Sequence, residues 1–184
     1  VNFRGSNGTS FDTAGYLEVA VDGTPGASAD MPGRLVIAIT PNASATPAEA
    51  MRISQDKSAL FKNSIKSDSA TAGVGYATGA GGAVTQATSK ATGVTLNTVC
   101  GQITMNNATL NAGNRVSFTL TDSAIAATDG VLVWHANTGT TGGYECEANA
   151  MAAGSCQITV RNATAGNLTE AIVLGFFVLK AVTA

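Results

Sequence analysis

The chain has 184 residues, of which 45% are apolar and only 12% are charged, and its formal net charge is −2. Ordinary hydrophobicity with a net charge near zero excludes a disordered chain, and the dispersed Lys and Arg residues argue against a nucleic-acid partner. Because so few charges are available to cover the folded surface, we expect another subunit to cover part of it.

Residues 1–66 are predicted to form an extended β region. Apolar residues alternate with others at 16–21, and a turn signal, Asp-Gly, follows at 22–23. The segment 34–39 (RLVIAI) is a second clear strand. This part of the chain therefore begins with at least two predicted strands.

Two interpretations compete for the end of this region. Residues 46–49 (TPAE) have the order of a helix start, with a threonine N-cap, proline at the first helical position and glutamate at the third. Alternatively, 50–53 and 59–61 are two strands joined by a turn at 55–57. The helix has the stronger local signal.

Residues 67–93 show no periodic pattern and are rich in Gly, Ala and Ser. Such a composition is typical of a linker or an extended stalk and not of a packed element. We therefore predict the domain boundary within this segment.

Residues 94–184 are predicted to form an all-β, jelly-roll-like β-sandwich. Short alternating segments recur at the spacing of a sandwich, with turn signals between them. The predicted strands are 94–99, 102–105, 115–121, 131–136, 144–150, 155–161 and 171–179. The last of these is apolar on both faces, which predicts a central strand or one whose outer face a neighbouring subunit covers.

No constellation for chemistry is visible, so the chain is not expected to be an enzyme and no cofactor or metal site is predicted. His135 is the only imidazole, and no Gly-x-Ser-x-Gly elbow accompanies it. Glu145 and Glu147 are the only close pair of carboxylates on one face, and such a pair is more typical of an exposed strand edge than of a glycosidase. The most apolar run, 171–179, is far shorter than the roughly 20 residues of a membrane span.

Recognition is the remaining kind of function. Trp134, His135 and Tyr144 flank a Gly/Thr-rich loop at 137–143, and aromatic rings beside a polar loop are typical contacts for a sugar or a protein patch. These three residues are the predicted receptor or partner contacts. The competing interpretation is that Trp134 is the core tryptophan of the sandwich.

The three cysteines leave two alternatives open. Cys146 and Cys156 flank a predicted hairpin and could form a disulfide by facing each other. Both also fit as small buried hydrophobic residues with free thiols. Cys100 leaves the count odd, which is not the pattern of a disulfide framework.

Two stretches carry a resemblance to a known group of proteins. Residues 30–36 (DMPGRLV) followed by 48–53 (AEAMRI) resemble the "MPGRLVF…ERMRI" segment of tailed-bacteriophage tail fibres and related virion fibre proteins. Residues 100–106 (CGQITMN), with 153–162 and 168–174, are similar to a C-terminal β module at the ends of phage fibre-like proteins.

The resemblance implies a structural protein of a phage virion, assembled in the host cytoplasm, in which residues 1–66 serve for attachment or as a shaft. It favours the strand over the helix at 50–53, where the fibre segment is usually extended. It also implies a homotrimer, other virion proteins as neighbours, and recognition of a host cell-surface glycan or protein by a tail fibre. The group carries no catalytic residues to transfer.

The second function that this resemblance allows is a capsid decoration protein, head fibre or other virion component that binds its own particle lattice. Such a protein is expected to extend an N-terminal arm for lattice contacts, and residues 1–11 are the segment that could supply it.

Overall fold

The structure, a computed structural model, describes residues 1–27, 30–71 and 73–181. Within these residues the chain consists of strands without any helix, which confirms the all-β prediction. The strands are β1 (Asn2–Ser6), β2 (Phe11–Val21), β3 (Gly33–Ile39), β4 (Ala48–Ile53), β5 (Ala59–Phe61), β6 (Gly81–Thr85), β7 (Val94–Thr95), β8 (Cys100–Thr104), β9 (Arg115–Thr121), β10 (Gly130–Asn137), β11 (Tyr144–Ala152), β12 (Ser155–Asn162) and β13 (Val173–Leu179). They belong to two compact units, Val1–Val74 and Gly75–Ala184.

The N-terminal unit is one antiparallel sheet, here sheet 1, with its five strands in the order β1-β2-β3-β4-β5. Each strand pairs with the next one along the chain, so short local turns are enough to build it. A glycine is required at position 15, where β2 pairs with β3, since a Cβ atom there would lie 2.5 Å from the carbonyl oxygen of Ala38. Asp22 ties the far end of the sheet by accepting a hydrogen bond from the backbone N–H of Gln55 at 3.0 Å.

The competing helix at 46–49 does not form, and the strands predicted at 50–53 and 59–61 are confirmed as β4 and β5. The reason is tertiary: Met51 pairs with Ile37 on one side and Phe61 on the other, which a helix would prevent. Glu49, which would have been the third helical residue, instead forms an ion pair with Arg52 at 2.6 Å. Strand β1 was not predicted, because its sequence, NFRGS, does not alternate in polarity.

The C-terminal unit packs two four-stranded sheets against each other. Sheet 2 has the order β10-β13-β8-β6 and sheet 3 the order β11-β12-β9-β7. The sandwich is therefore confirmed, and β13 is a central strand between β10 and β8 as its apolar sequence predicted. The jelly-roll-like order is not confirmed, because β6 runs parallel to β8 and β7 parallel to β9, whereas a jelly roll is antiparallel.

The hydrophobic core lies between sheets 2 and 3. Alternate residues of each strand point into it, as the period-2 pattern predicted for 115–121. Its buried members are Val94, Ile103, Met105, Leu110, Phe118, Leu120, Ile125, Val133, Tyr144, Cys156, Ile158, Val160, Ile172, Leu174, Phe176 and Val178. Among the described residues, no member of this core cluster comes from the N-terminal unit.

The segment predicted as a linker, 67–93, differs from the structure in its second half. Strand β6 lies within it, and Gln86 is buried, with its side-chain amide donating to the carbonyl oxygens of Lys90 and Thr92 at 3.1 and 2.9 Å. The boundary between the units falls after Val74, and Ala72 lies outside the described residues. Local sequence misses β6 because its small residues are needed for close packing: a Cβ on Gly82 would lie 2.8 Å from the Leu96 side chain.

Candidate functional site

The loop 137–143, the predicted recognition loop, is held in place by Glu170. One carboxylate oxygen accepts hydrogen bonds from the Thr140 backbone N–H and the Tyr144 hydroxyl, both at 2.9 Å, and the other accepts from the Thr140 hydroxyl at 2.7 Å. The bonds from Thr140 are the main reason that the pKa of Glu170 is lowered. Burial, followed by the bond to Glu170, raises the pKa of Tyr144, so its hydroxyl remains a donor.

A buried lysine supports this arrangement from beneath. Lys90 is only 3% exposed, and its ammonium donates to the backbone carbonyl oxygens of Asn106 and Glu170 at 2.6 and 2.5 Å. Burial lowers the pKa of Lys90, while the charge of Glu170 opposes that shift. Lys90 therefore connects the loops that carry Asn106 and Glu170. Sequence reasoning missed both charged residues; the only signal was that Lys90 is isolated in a Gly/Ala/Thr-rich segment.

His135 and Tyr144 lie together at the base of the loop. Their rings pack edge to face with centroids 5.3 Å apart, and His135 Nε2 donates to the Thr138 carbonyl oxygen at 2.5 Å. Gly139 has a φ of +76°, and a Cβ there would lie 2.5 Å from Ile172, so the loop passes close to the sandwich. A shallow, open depression results, lined by residues 135–139, 141, 142 and 144. Its exposed polar groups suit a hydrogen-bonding ligand or protein patch.

Trp134 does not belong to this depression. It pairs with Gly175 on the outer face of sheet 2, packs edge to face on Phe177 with centroids 6.1 Å apart, and is 43% exposed. The interpretation of Trp134 as the core tryptophan is therefore wrong. The three predicted contact residues are split between two surfaces, because successive residues of a strand point to opposite faces.

The outer face of sheet 2 carries no charged side chain among its paired outward positions. We call it the neutral face. Its residues are Gly81, Ala83 and Thr85 of β6, Cys100, Gln102 and Thr104 of β8, Gly130, Leu132 and Trp134 of β10, and Val173, Gly175, Phe177 and Leu179 of β13. Leu132 and Leu179 are 56% and 65% exposed, so this face has large uncovered apolar side chains.

The outer face of sheet 3 is the opposite in character. Arg161 lies between Arg115 and Glu145 in one cross-strand row and forms an ion pair with Glu145 at 3.0 Å. Glu147 stands on the same face of the same edge strand, β11, as the sequence predicted for an exposed edge. Polar Thr, Ser, Gln and Asn residues fill most of the other outward positions of this sheet. This face has the composition of a surface that water covers.

Sheet 1 also has an uncovered apolar face. Two rows cross four of its strands without a polar side chain: Leu17, Ile37, Met51 and Phe61, and beside them Val19, Leu35, Ile53 and Ala59. We call this surface the apolar face of sheet 1. Val19 is 80% exposed and Ile53 is 37% exposed. The charged residues Glu18, Arg34 and Arg52 lie on the other face.

All three cysteines are free, so the predicted alternative of a disulfide between Cys146 and Cys156 is wrong. Cys146 lies opposite Val160, and Cys156 is four residues away along β12, roughly 13 Å at the rise of a strand. A disulfide needs Cα atoms within about 7 Å. Burial raises the pKa of both thiols to about 11, whereas Cys100 lies opposite Phe177 on the neutral face.

Other chemistry has little support in the part of the chain that the structure describes. No group of three His, Cys, Asp or Glu side chains there is placed to hold a metal ion. The same residues include no helix long and apolar enough to cross a membrane. No known protein family, curated protein or solved structure matches this chain. The candidate functional surfaces are therefore the loop depression, the neutral face and the apolar face of sheet 1.

Proposed function

We propose that the chain is a structural protein of a bacteriophage virion, a tail fibre or fibre-like appendage that takes part in recognition of the host surface. The observation that carries this proposal is the apolar face of sheet 1, on which no second layer packs among the described residues of its own unit. A sheet with one apolar face is stable only when that face is buried against another layer. Other copies of the chain can supply that layer, as in a homotrimeric fibre.

The charge distribution on sheet 1 supports association through this one face. Glu18, Arg34 and Arg52 are confined to the opposite face, where Arg52 pairs with Glu49 and Arg34 with Asp22 at 3.3 Å. When the apolar rows of two copies face one another, each Å² of apolar surface that is removed from water stabilises the contact by about 25 cal/mol. The proposed role is thus assembly and recognition rather than catalysis, with localisation in the virion.

The loop depression at 137–143 supports the recognition part of the proposal. Glu170 and Lys90 hold the loop in one conformation, so its polar groups are preorganised for a partner. In a particle with several copies, weak contacts of this kind with a glycan or protein add up to firm attachment.

The alternative proposal, a capsid decoration or head-fibre protein that binds its own lattice, has less support. It called for an extended N-terminal arm at residues 1–11. In the structure Asn2–Ser6 is instead paired with β2 as strand β1, from Asn2 opposite Tyr16 to Ser6 opposite Phe11. The apolar face of sheet 1 is the surface by which such a protein would dock, and binding of the chain to purified capsids would favour it.

Assembly of the purified full chain tests the proposal. We expect light scattering at micromolar concentration to give three times the chain mass of 18.4 kDa. Val19→Glu should shift the mass towards that of one chain, because an unpaired carboxylate buried in a contact costs several kcal/mol, a weakening of about a hundredfold or more.

Leu60→Glu is the matched control. Leu60 is 46% exposed on β5 but lies opposite Arg52, on the other face of sheet 1, so it should leave the mass unchanged. A wild-type chain that stays monomeric at tens of micromolar would overturn the proposal.

A further inference from the structure

The neutral face of sheet 2 is the second unexplained surface of this chain. It belongs to a unit that already has a complete hydrophobic core. Folding of that unit therefore does not require the apolar side chains on the neutral face. Leu132, Trp134 and Leu179 nevertheless project from it with 56%, 43% and 65% of their surface exposed. Large apolar side chains grouped on one face of a sheet mark a surface that a partner covers.

The opposite face of the same sandwich shows that low overall charge does not explain this surface. Sheet 3 carries Arg115, Arg161, Glu145 and Glu147 on its outer face, within strands of similar length. The sandwich therefore does contain charged residues on its surface, and they lie on the outer face of sheet 3. No charged residue occupies a paired outward position of sheet 2, so the lack of charge is specific to the neutral face and does not extend over the whole sandwich.

We infer that the neutral face is a contact between copies of this chain, which adds a second interface to that of sheet 1. Two copies of a face without charge can meet with no repulsion between like charges and without stripping water from an ionised group. A partner with a charged surface would leave its own charges buried without a counter-ion. A second copy of this chain is therefore the partner that the chemistry of the face fits.

The size of the face agrees with this assignment. Four strands roughly 4.8 Å apart, each about six residues long at roughly 3.3 Å per residue, give a face of about 400 Å² in projection. Side chains that stand up from the sheet increase the accessible area to roughly 500 Å² for each copy. In a trimer the three neutral faces can converge on the threefold axis, where each is shared between two neighbours, so each pair of copies buries on the order of 500 Å², less than a specific interface needs by itself. Such a contact is weak alone and becomes effective when another contact holds the copies together.

The inference thus rests on the proposed function, in which sheet 1 supplies the stronger contact. It adds that the sandwiches also meet, so that Trp134 is buried between copies and the loop depression remains the surface open to other molecules. This separates the three predicted contact residues into two roles: Trp134 serves assembly, and His135 and Tyr144 support recognition.

Cys100 provides a native reporter for the test. It lies on the neutral face, opposite Phe177 and beside Gly81, whereas Cys146 and Cys156 point into the core. The full chain is treated with a bulky maleimide, and labelling of Cys100 is followed with time by mass spectrometry of its peptide. The same samples are measured by light scattering, and the emission wavelength of Trp134 is recorded.

We expect Cys100 to be labelled slowly in the wild-type assembly and about tenfold faster or more in Leu132→Glu, with a red shift of Trp134 emission. Thr121→Glu is the matched control, because Thr121 is also exposed on an outer face, but of sheet 3, and it should behave as wild type. Circular dichroism confirms that both variants are folded.

A wild-type assembly in which Cys100 is labelled as fast as in Leu132→Glu would overturn this inference and leave the proposed function standing. Emission of Trp134 that is the same in wild type and Leu132→Glu would overturn it as well. A monomeric wild-type chain would overturn the proposed function and the inference together.

Discussion

The two compact units of this chain bury their apolar residues in different ways. In the sandwich, each inner face of one sheet is covered by the other, and side chains such as Phe118 and Ile158 are almost completely buried. In the N-terminal unit only Gly15, Val36 and Ala38 are buried among the described residues. The sandwich has a complete hydrophobic core, whereas sheet 1 has an apolar face that no second layer of its own unit buries among the described residues.

In the proposed assembly, the apolar residues of this chain are divided between the core of the sandwich and the contacts of sheet 1 with other copies. Leu17 and Ile37 on sheet 1 are as apolar as the residues of the sandwich core, yet they face outward in the single chain. Their burial becomes available only when another layer arrives. Stability of the N-terminal unit is therefore expected to depend strongly on chain concentration, whereas the core of the sandwich is already buried within one chain.

The largest expected difference between the units is in the effect of a core truncation. Phe118→Ala should lower the free energy of unfolding of the sandwich by about 3–5 kcal/mol, because it leaves a cavity between the sheets. The matched change in sheet 1, Ile37→Ala, should leave the unfolding of the sandwich unchanged within about 0.5 kcal/mol and weaken assembly instead. The single tryptophan, Trp134, lies in the sandwich and reports its unfolding in urea.

If Ile37→Ala destabilised the sandwich as much as Phe118→Ala does, the two units would unfold together as one cooperative fold. That result would contradict the difference between them. Unfolding curves at two chain concentrations sharpen the result. In Leu132→Glu, which lacks the proposed contact through the neutral face, the Trp134 transition should shift little between them if the core of the sandwich is complete in one chain.

A smaller effect is expected when the polar network that holds the loop 137–143 is removed. Glu170→Ala leaves the buried Tyr144 hydroxyl and the Thr140 N–H without their acceptor, which should cost about 1–3 kcal/mol of sandwich stability. Thr141→Ala, in the same loop but outside this network, should cost less than about 0.5 kcal/mol. Urea unfolding followed by Trp134 fluorescence measures both, and equal effects would show that Glu170 does not hold the loop.

The smallest expected effect is a pH dependence confined to the sandwich. Asp129 forms an ion pair with Lys180 and accepts a hydrogen bond from the Ala126 N–H at 2.8 Å, and these contacts lower its pKa to about 2, with Lys180 the main cause. Because the unfolded value is about 3.9, its stabilising contribution is present above pH 4 and is lost as the pH falls to about 2. The stability difference between wild type and Asp129→Asn should therefore shrink as the pH falls below 4 and disappear only below pH 2.

Asp122 is the matched control, with the opposite sign. It is fully buried, one of its carboxylate oxygens has no hydrogen-bond partner among the described residues, and burial raises its pKa. Its charged form is therefore disfavoured in the fold, so Asp122→Asn should compare more favourably with wild type at pH 7 than at pH 3. A parallel pH dependence of the two variants would contradict this assignment.

The sequence alone predicted the elements in which polarity alternates. Strand β9, Arg115–Thr121, was located to the residue, because Val116, Phe118 and Leu120 recur with a period of two between turn signals. Strand β5 was also located exactly, although a helix competed for the residues before it. Strands β1 and β6 were missed, since Gly-rich or irregular segments become strands only by pairing with a neighbour.

The sequence could not place the candidate site, for a related reason. Glu170 contacts Thr140 and Tyr144 across about 30 residues of chain, and no local pattern connects them. The disulfide alternative failed likewise, because the register of β11 against β12 sets the distance between the two cysteines.

Composition and alternation thus determined that this chain is an all-β protein with two parts and few charges. Tertiary structure decided which of its surfaces carry the apolar side chains. In β10 the run Val131, Leu132, Val133 and Trp134 is apolar at every position, so alternation cannot tell the inner face from the outer one. Pairing with β13 turns Val133 inward beside Phe176 and leaves Trp134 outside over Gly175. Which side of a doubly apolar strand faces the core depends on its partners in the sheet, which only the folded chain brings together.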